Sequence, residues 1–209
     1  RKLIQGWAAD AAKKGSPNAA EFFAKMDEMI DAAVREIRTK IDEFGKKVGG
    51  STDDFIHDGS QFMGKYQLKP NIKYEVNGYI YETDNLGRIK RAEGELTLQK
   101  GTRNTTHQKK AGGEDRITGD DGDHGGHLIG TRFNGSPLID NIVAMNGKVN
   151  LNDYKVLENA WENTLKEVPP KKVVVNIKPV YNSTSKRPIS FKIEYEINSK
   201  KYNAYIANQ

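Results

Sequence analysis

The sequence predicts an α+β fold: an antiparallel sheet preceded by a long N-terminal helix. Three observations predict it. A helical hydrophobic period runs through residues 16–48, a two-residue period with turn signals runs through residues 71–99, and a second helical stretch at residues 151–168 is followed by two more alternating stretches. The order helix, strands, loop, helix, strands argues for α+β.

Taken in order, Ser16-Pro17 opens the first helix, because serine can cap an N-terminus and proline fits the first turn. Phe22, Met26, Met29, Ile30, Ala33, Ile37, Ile41 and Phe44 recur three and four positions apart, and Gly49-Gly50 end the helix. Such a stripe serves core packing or a connector to an upstream domain. Residues 50–70 read as a linker. "IKYEVNGYIYETDNLGRIKRAEGELTLQ" then alternates as a meander, with a hairpin at Asn77-Gly78 and a turn at Asp84-Asn85-Leu86-Gly87. Residues 101–126 are polar and glycine-rich and read as one long loop, of a length that is often functional. The second helix, Leu151 to Val168, has Asn152 or Asp153 as its cap. Leu157, Ala160, Trp161, Thr164 and Leu165 form its buried stripe, and Pro169-Pro170 stops it. "KVVVNIKPVY" and "SFKIEYEINSKKYNAYIA" read as strands joined by a turn at "NSTSKRP".

The chain of 209 residues carries 33 Lys and Arg against 28 Asp and Glu, a net charge of +5. Residues 1–65 hold 11 basic and 11 acidic groups, so the excess lies in the remainder, and residues 170–209 hold 8 basic against 2 acidic. Such a half can attract a polyanion, although lysine-rich surface is also ordinary. There is no cysteine, which excludes disulfides, thiolate metal sites and cysteine nucleophiles. No run of 18 apolar residues suggests a membrane-spanning helix. No signal peptide is visible, and the start at Arg1 is read as that of a processed or C-terminal piece.

The chemistry concentrates in "GDHGGHLIGTRFNG", residues 122–135. His127 follows Gly125-Gly126, whose freedom admits a sharp turn or a closely approaching ligand, and it precedes an apolar segment that can hold the ring at the edge of a groove. Downstream, Asn141 lies nine residues before Asn150, and Glu158 eight after it. Positions four apart drift by only about 40° on a helix, so Asn150, Tyr154 and Glu158 can line one helical face beside the buried stripe. An amide oxygen and a carboxylate suit a hard cation such as Mg²⁺. The residues alone leave open that Asn150 is a cap and Glu158 a solvated charge. A zinc site on His107, His124 and His127 is a further option, although Gly125-Gly126 argues against a helix that would converge the last two.

Together "GGHLIGTRFNG", "DNIVAMNGKVN" and "YKVLENAW" resemble the DNA/RNA non-specific endonucleases of the ββα-metal (His-Me finger) class, whose motif is written D-R-G-H followed by N-x₈-N and N-x₇-E. Gly126-His127 matches the end of that motif, and Asn141, Asn150 and Glu158 match its later positions. The chain further resembles nuclease domains of LXG-type bacterial polymorphic toxins, through "YETDNLGRI…GELTL", "RN…Q…AGGEDR" and "VNIKPVY…SKRPISFKIEYEI" over roughly residues 70–200. The motif aspartate falls at His124 and the motif arginine at Gly125, while Asp123 stands one position early.

The resemblance implies a ββα-metal core in a nuclease domain at residues 66–209, after a helical upstream region and linker at 1–65. It makes His127 the general base, Asn150 the direct metal ligand, Glu158 the group that orients the ion and its waters, and Asn141 a support. It implies Mg²⁺ (or Mn²⁺) as cofactor. DNA is the implied substrate, with RNA also admissible. Secretion by the producing bacterium, action in the target-cell cytoplasm and a cognate immunity protein as inhibitor follow from the same resemblance. Arg103, Arg116 and Arg132 are the candidates to replace the motif arginine on the phosphate, and His124 or Asp123 the candidates to replace its aspartate.

Overall fold

The computed structural model describes residues 55–209. The helix expected over residues 16–48 lies outside the described residues. The described chain belongs to a compact unit that begins at Asp54.

Where a linker was expected, the chain forms short strands: β1 (Phe55–Ile56), then a small hairpin of β2 (Phe62–Gly64) and β3 (Gln67–Leu68). Three anchors explain this order within a polar stretch: Gln61 and Leu68 are buried, and the half-buried Phe62 packs against the core. The expected meander follows as β4 (Lys73–Val76), β5 (Tyr79–Thr83) and β6 (Ile89–Glu95). Its first turn is the two-residue hairpin read from Asn77-Gly78, with Val76 paired to Tyr79 and both turn residues at positive φ. At the second turn Asp84 Oδ1 accepts from Leu86 N and Arg88 N.

The expected loop at 101–126 is partly structured. It contains α1 (Thr105–Lys110), capped by Asn104, and a 3₁₀ turn at Gly113–Asp115, and it runs into β7 (Asp123–His127). β7 pairs antiparallel with β8 (Ile142–Asn146), His127 opposite Ile142. Next come α2 (Gly147–Leu151) and α3 (Asp153–Leu165). The helix expected from Leu151 to Val168 is thus two helices, broken at Asn152 (φ −114°, ψ −80°), and the second ends earlier. The sequence hid the break because the real start is capped upstream: Asn146 Oδ1 accepts from Lys148 N and Val149 N. β9 (Val173–Tyr181), β10 (Pro188–Ile197) and β11 (Lys200–Ala207) complete the chain. The stretch read as one last strand is β10 and β11, folded back at Asn198-Ser199, both at positive φ.

The main sheet has seven strands in the order β1-β4-β5-β6-β9-β10-β11, antiparallel except for β1 beside β4. β6 and β9 are neighbours, so α1, β7, β8, α2 and α3 form an insertion between two adjacent strands. Tyr74, Tyr81, Ala92, Val175, Ile177, Phe191 and Ile193 belong to the sheet's share of the core, and Leu128, Phe133, Met145, Tyr154 and Trp161 to the insertion's. The rings of Tyr154 and Phe191 meet edge-to-face at 5.8 Å, and those of Trp161 and Tyr195 at 5.6 Å. Each fully buried aromatic or branched side chain contributes roughly 1.5–3 kcal/mol, so this seam fixes the insertion on the sheet. Asn208 adds a polar clasp: its Oδ1 accepts from Asn146 N at 2.7 Å, and its Nδ2 donates to Ala144 O and Pro188 O.

Candidate functional site

The site is built on β7, β8 and the two helices after them. β7 ends at His127, and its two glycines have a packing reason. A Cβ on Gly125 would overlap the Gln108 carbonyl of α1, and one on Gly126 would press on Met145 at 2.8 Å. What approaches the strand closely is therefore α1 and Met145. Gln108 Nε2 completes the contact by donating to Gly125 O.

Beyond His127 the chain turns through residues 128–141, and Asn141 holds that loop closed. Its Oδ1 accepts from Ile129 N, its Nδ2 donates to Ile129 O and Ser136 O, and its carbonyl accepts from Leu128 N. Asn141 is wholly buried. Tyr154 of α3 donates to Leu128 O at 2.8 Å, fastening the helix to the residue after His127. One turn further along, Glu158 packs so closely on Gly130 that a Cβ there would collide with its carboxyl. Tyr154, Leu157, Glu158, Trp161 and Leu165 form the inward face of α3, while Ala160 points out. Glu158 thus lies within the stripe, where the sequence placed it beside.

Electrostatics sets these groups apart. Burial, with the nearby charge of Arg103, pushes the His127 imidazole down from its ordinary value to about 4. Its Nε2 is buried without a hydrogen-bond partner, which in a native site calls for an explanation beyond stability. Burial also raises the Glu158 carboxyl, opposed by Arg132 and Arg103. Arg103 acts on both residues, which links His127 to Glu158 through one cation. Arg132 lies 3.6 Å from Glu158 and is itself held at 2.6 Å by Asn159 and Glu162.

Asn150 sits on the short α2, so it does not share a helix with Tyr154 and Glu158 as the spacing suggested. Its Nδ2 lies 3.3 Å from His124 Nδ1. Asp123 is directed elsewhere: its fully buried carboxylate takes two hydrogen bonds from Arg187, at 2.8 and 2.9 Å, and one from Ile117 N. Arg116 spends its guanidinium on the carbonyls of Gln108, Ala111 and Asp123. Of the three arginines it is the one committed to holding backbone, which leaves Arg103 and Arg132 beside Glu158. His107 is also separate: its Nδ1 accepts from Ile139 N and its ring stands edge-on to Tyr66 at 5.0 Å. Among the described residues no three His, Cys, Asp or Glu side chains gather in a way that could hold a metal. The Asp123–Arg187 clamp, the Asn146 cap and the Asn150–His124 contact were not read from sequence; only the polar residue types at these positions hinted at them.

A two-stranded β-hairpin followed by a helix, with an imidazole at the strand end and a half-buried carboxylate on the helix, is the frame of a ββα nuclease. The chain belongs to the DNA/RNA non-specific endonuclease family, whose pattern it matches over residues 70–199. It is 41% identical over 153 residues to the type VII secretion system protein EssD of Staphylococcus aureus (strain USA300). That match covers 68% of this chain and 24% of the relative, so the chain spans about a quarter of the relative's length. Among solved structures, the Sda1 nuclease with bound zinc ion is similar in fold (TM-score 0.51, 14% identity, 62% of this chain and 75% of that one). NucA from Streptococcus agalactiae, solved with a magnesium ion bound, gives a TM-score of 0.47 at 17% identity, over 68% of this chain and 80% of that one.

Proposed function

We propose that this nuclease domain cleaves DNA by divalent-cation-dependent phosphodiester hydrolysis, with Mg²⁺ or Mn²⁺ as the ion. The observation that carries the reading is His127: a strand-end imidazole kept neutral by burial and by the charge of Arg103, which also acts on the half-buried Glu158. A neutral ring can take the proton of an attacking water. A phosphodiester seated on Arg103 and Arg132 would have its non-bridging charge offset. It would also set a negative charge beside His127 and partly cancel the field of Arg103. Both effects raise the ring's affinity for a proton at the moment it must accept one. Asn141, which closes the loop after His127, serves as a positioning residue.

The donor set fits a hard cation. Asn150 offers an amide oxygen, and Glu158 is a carboxyl whose burial disfavours its charge, a cost that a cation nearby removes. A bound Mg²⁺ would polarise the phosphate and stabilise the leaving oxygen. With one neutral residue as direct ligand, affinity without substrate is weak, and activity needs roughly millimolar Mg²⁺ or Mn²⁺ on hard-cation grounds.

The reading extends to the whole protein of which this domain is part. The staphylococcal relatives bear the name of a type VII secretion system, which supports export by such a route as an antibacterial toxin. The target is then DNA in the recipient's cytoplasm, and the producer needs an immunity protein. A net charge of +5 favours an acidic inhibitor.

The test is incubation with supercoiled plasmid, and in parallel with RNA, across Mg²⁺, Mn²⁺, Zn²⁺ and excess chelator. Nicking should appear with Mg²⁺ or Mn²⁺ and vanish in chelator, and His127→Ala should slow it about 10²- to 10⁴-fold. Intact plasmid under every metal would instead make the domain a nucleic-acid-binding module. Full cleavage by His127→Ala would move the base elsewhere.

A further inference from the structure

His124 stands where the resembling motif has an aspartate, and the proposed reaction gives it no part. An asparagine side chain has two ends of nearly equal shape. One accepts hydrogen bonds and can ligate a hard cation; the other only donates and cannot. On α2 the donor end of Asn150 lies 3.3 Å from His124 Nδ1. The contact pairs the donor end of Asn150 with the tautomer of His124 in which Nδ1 is the acceptor. That contact turns the amide oxygen of Asn150 away from His124.

The His124 ring is solvent-exposed, but the backbone that carries it is fixed. His124 lies on β7 opposite Met145, one residue before the Asn146 cap that starts α2. Gly147, the first residue of α2, leaves the ring its room: a Cβ there would sit 3.1 Å from His124 Nε2. Ring and amide thus rise from two rigid pieces joined at residues 146–147. A carboxylate at position 124 would offer the same acceptor, so the exchange of aspartate for histidine keeps the interaction while changing the residue.

We propose that His124 is a positioning residue that fixes which end of the Asn150 amide faces the cation. The proposal rests on the reading of Asn150 as a metal ligand, and the experiment separates the two. Mn²⁺ alone is titrated into the full 209-residue chain, the free ion being followed by electron paramagnetic resonance. The proteins are the wild type, Asn150→Leu, His124→Leu, His124→Asp, Asn150→Asp and the double variant His124→Leu/Asn150→Asp. Thermal melts establish that each is folded. His124→Leu should weaken Mn²⁺ binding about 10-fold, as loss of a group that orients a ligand typically does, and His124→Asp should restore it. In the Asn150→Asp background both ends of the side chain are oxygen, so orientation no longer matters and His124→Leu should have no effect on affinity. Equal losses in both backgrounds, or wild-type binding by His124→Leu, would overturn the proposal while leaving Asn150 a ligand. Wild-type binding by Asn150→Leu would overturn both readings together.

Discussion

At the scale of single residues, His127 makes the sharpest claim because its environment inverts the ordinary behaviour of an imidazole. Its pKa of about 4 in the free protein means that lowering the pH from neutral does not protonate it until near 4. The acid limb of kcat/KM, which reports the free enzyme, should therefore lie well below the ordinary imidazole value of about 6.5. The limb of kcat should lie higher, because bound phosphate raises the ring's proton affinity. A pH–rate series on an oligonucleotide duplex measures both, and coincident limbs near neutrality would contradict the burial argument. Stability carries the same signature. Between pH 4 and the ordinary value the unfolded chain binds a proton at this position that the folded chain does not, so stability falls as pH falls through that window. Replacing His127 by Phe should flatten that part of a urea-midpoint versus pH curve.

At the scale of elements, local chemistry made part of the structure legible and long-range contacts hid the rest. The sheet was legible where chemistry is local: Asn77-Gly78 permits positive φ at both turn positions, and β9 alternates buried and half-buried residues along its length. The same turn type at Asn198-Ser199 escaped notice because serine at positive φ is an uncommon choice, so two strands read as one. The helix pair was misread because Asn146 caps through a contact that spacing cannot reveal. Gly125-Gly126 suggested freedom, yet they mark the place where α1 lies against the backbone of β7. Of the candidate site, the residue types were legible through the resemblance. The division of labour among Arg103, Arg116 and Arg132 was not, because it depends on which carbonyls and carboxylates lie within reach after folding. The glycine reading has a direct consequence: Gly125→Ala forces a methyl into the Gln108 carbonyl and should cost about 1–3 kcal/mol, as overpacking does. Chemical denaturation of the variant checks it, and an unchanged midpoint would mean that α1 is free to shift.

At the scale of the molecule, the basic tail that drew attention in the sequence is largely balanced once folded. Lys171 meets Glu167, Lys172 meets Glu95, Lys178 meets Glu194, Lys201 meets Glu196, and Arg187 is clamped on Asp123. Its other cations are Lys186, Lys192 and Lys200, which would join the proposed Arg103 and Arg132 if they too met phosphates. Five phosphate contacts would give a logarithmic salt slope of about −4.5, or a loss of roughly 500-fold in duplex affinity between 50 and 200 mM salt. Fluorescence anisotropy with the His127→Ala variant measures it, and a much steeper slope would place further cations on the DNA. The order of the chain adds a last consequence. The insertion that carries His127, Asn150 and Glu158 is translated before β9, β10 and β11, and Asn208, which ties β8 to β10, comes after them all. A ribosome that has released residue 170 has already exposed every proposed reacting group without the strands that brace them. The proposed reacting groups are therefore fully braced only once translation has passed Asn208.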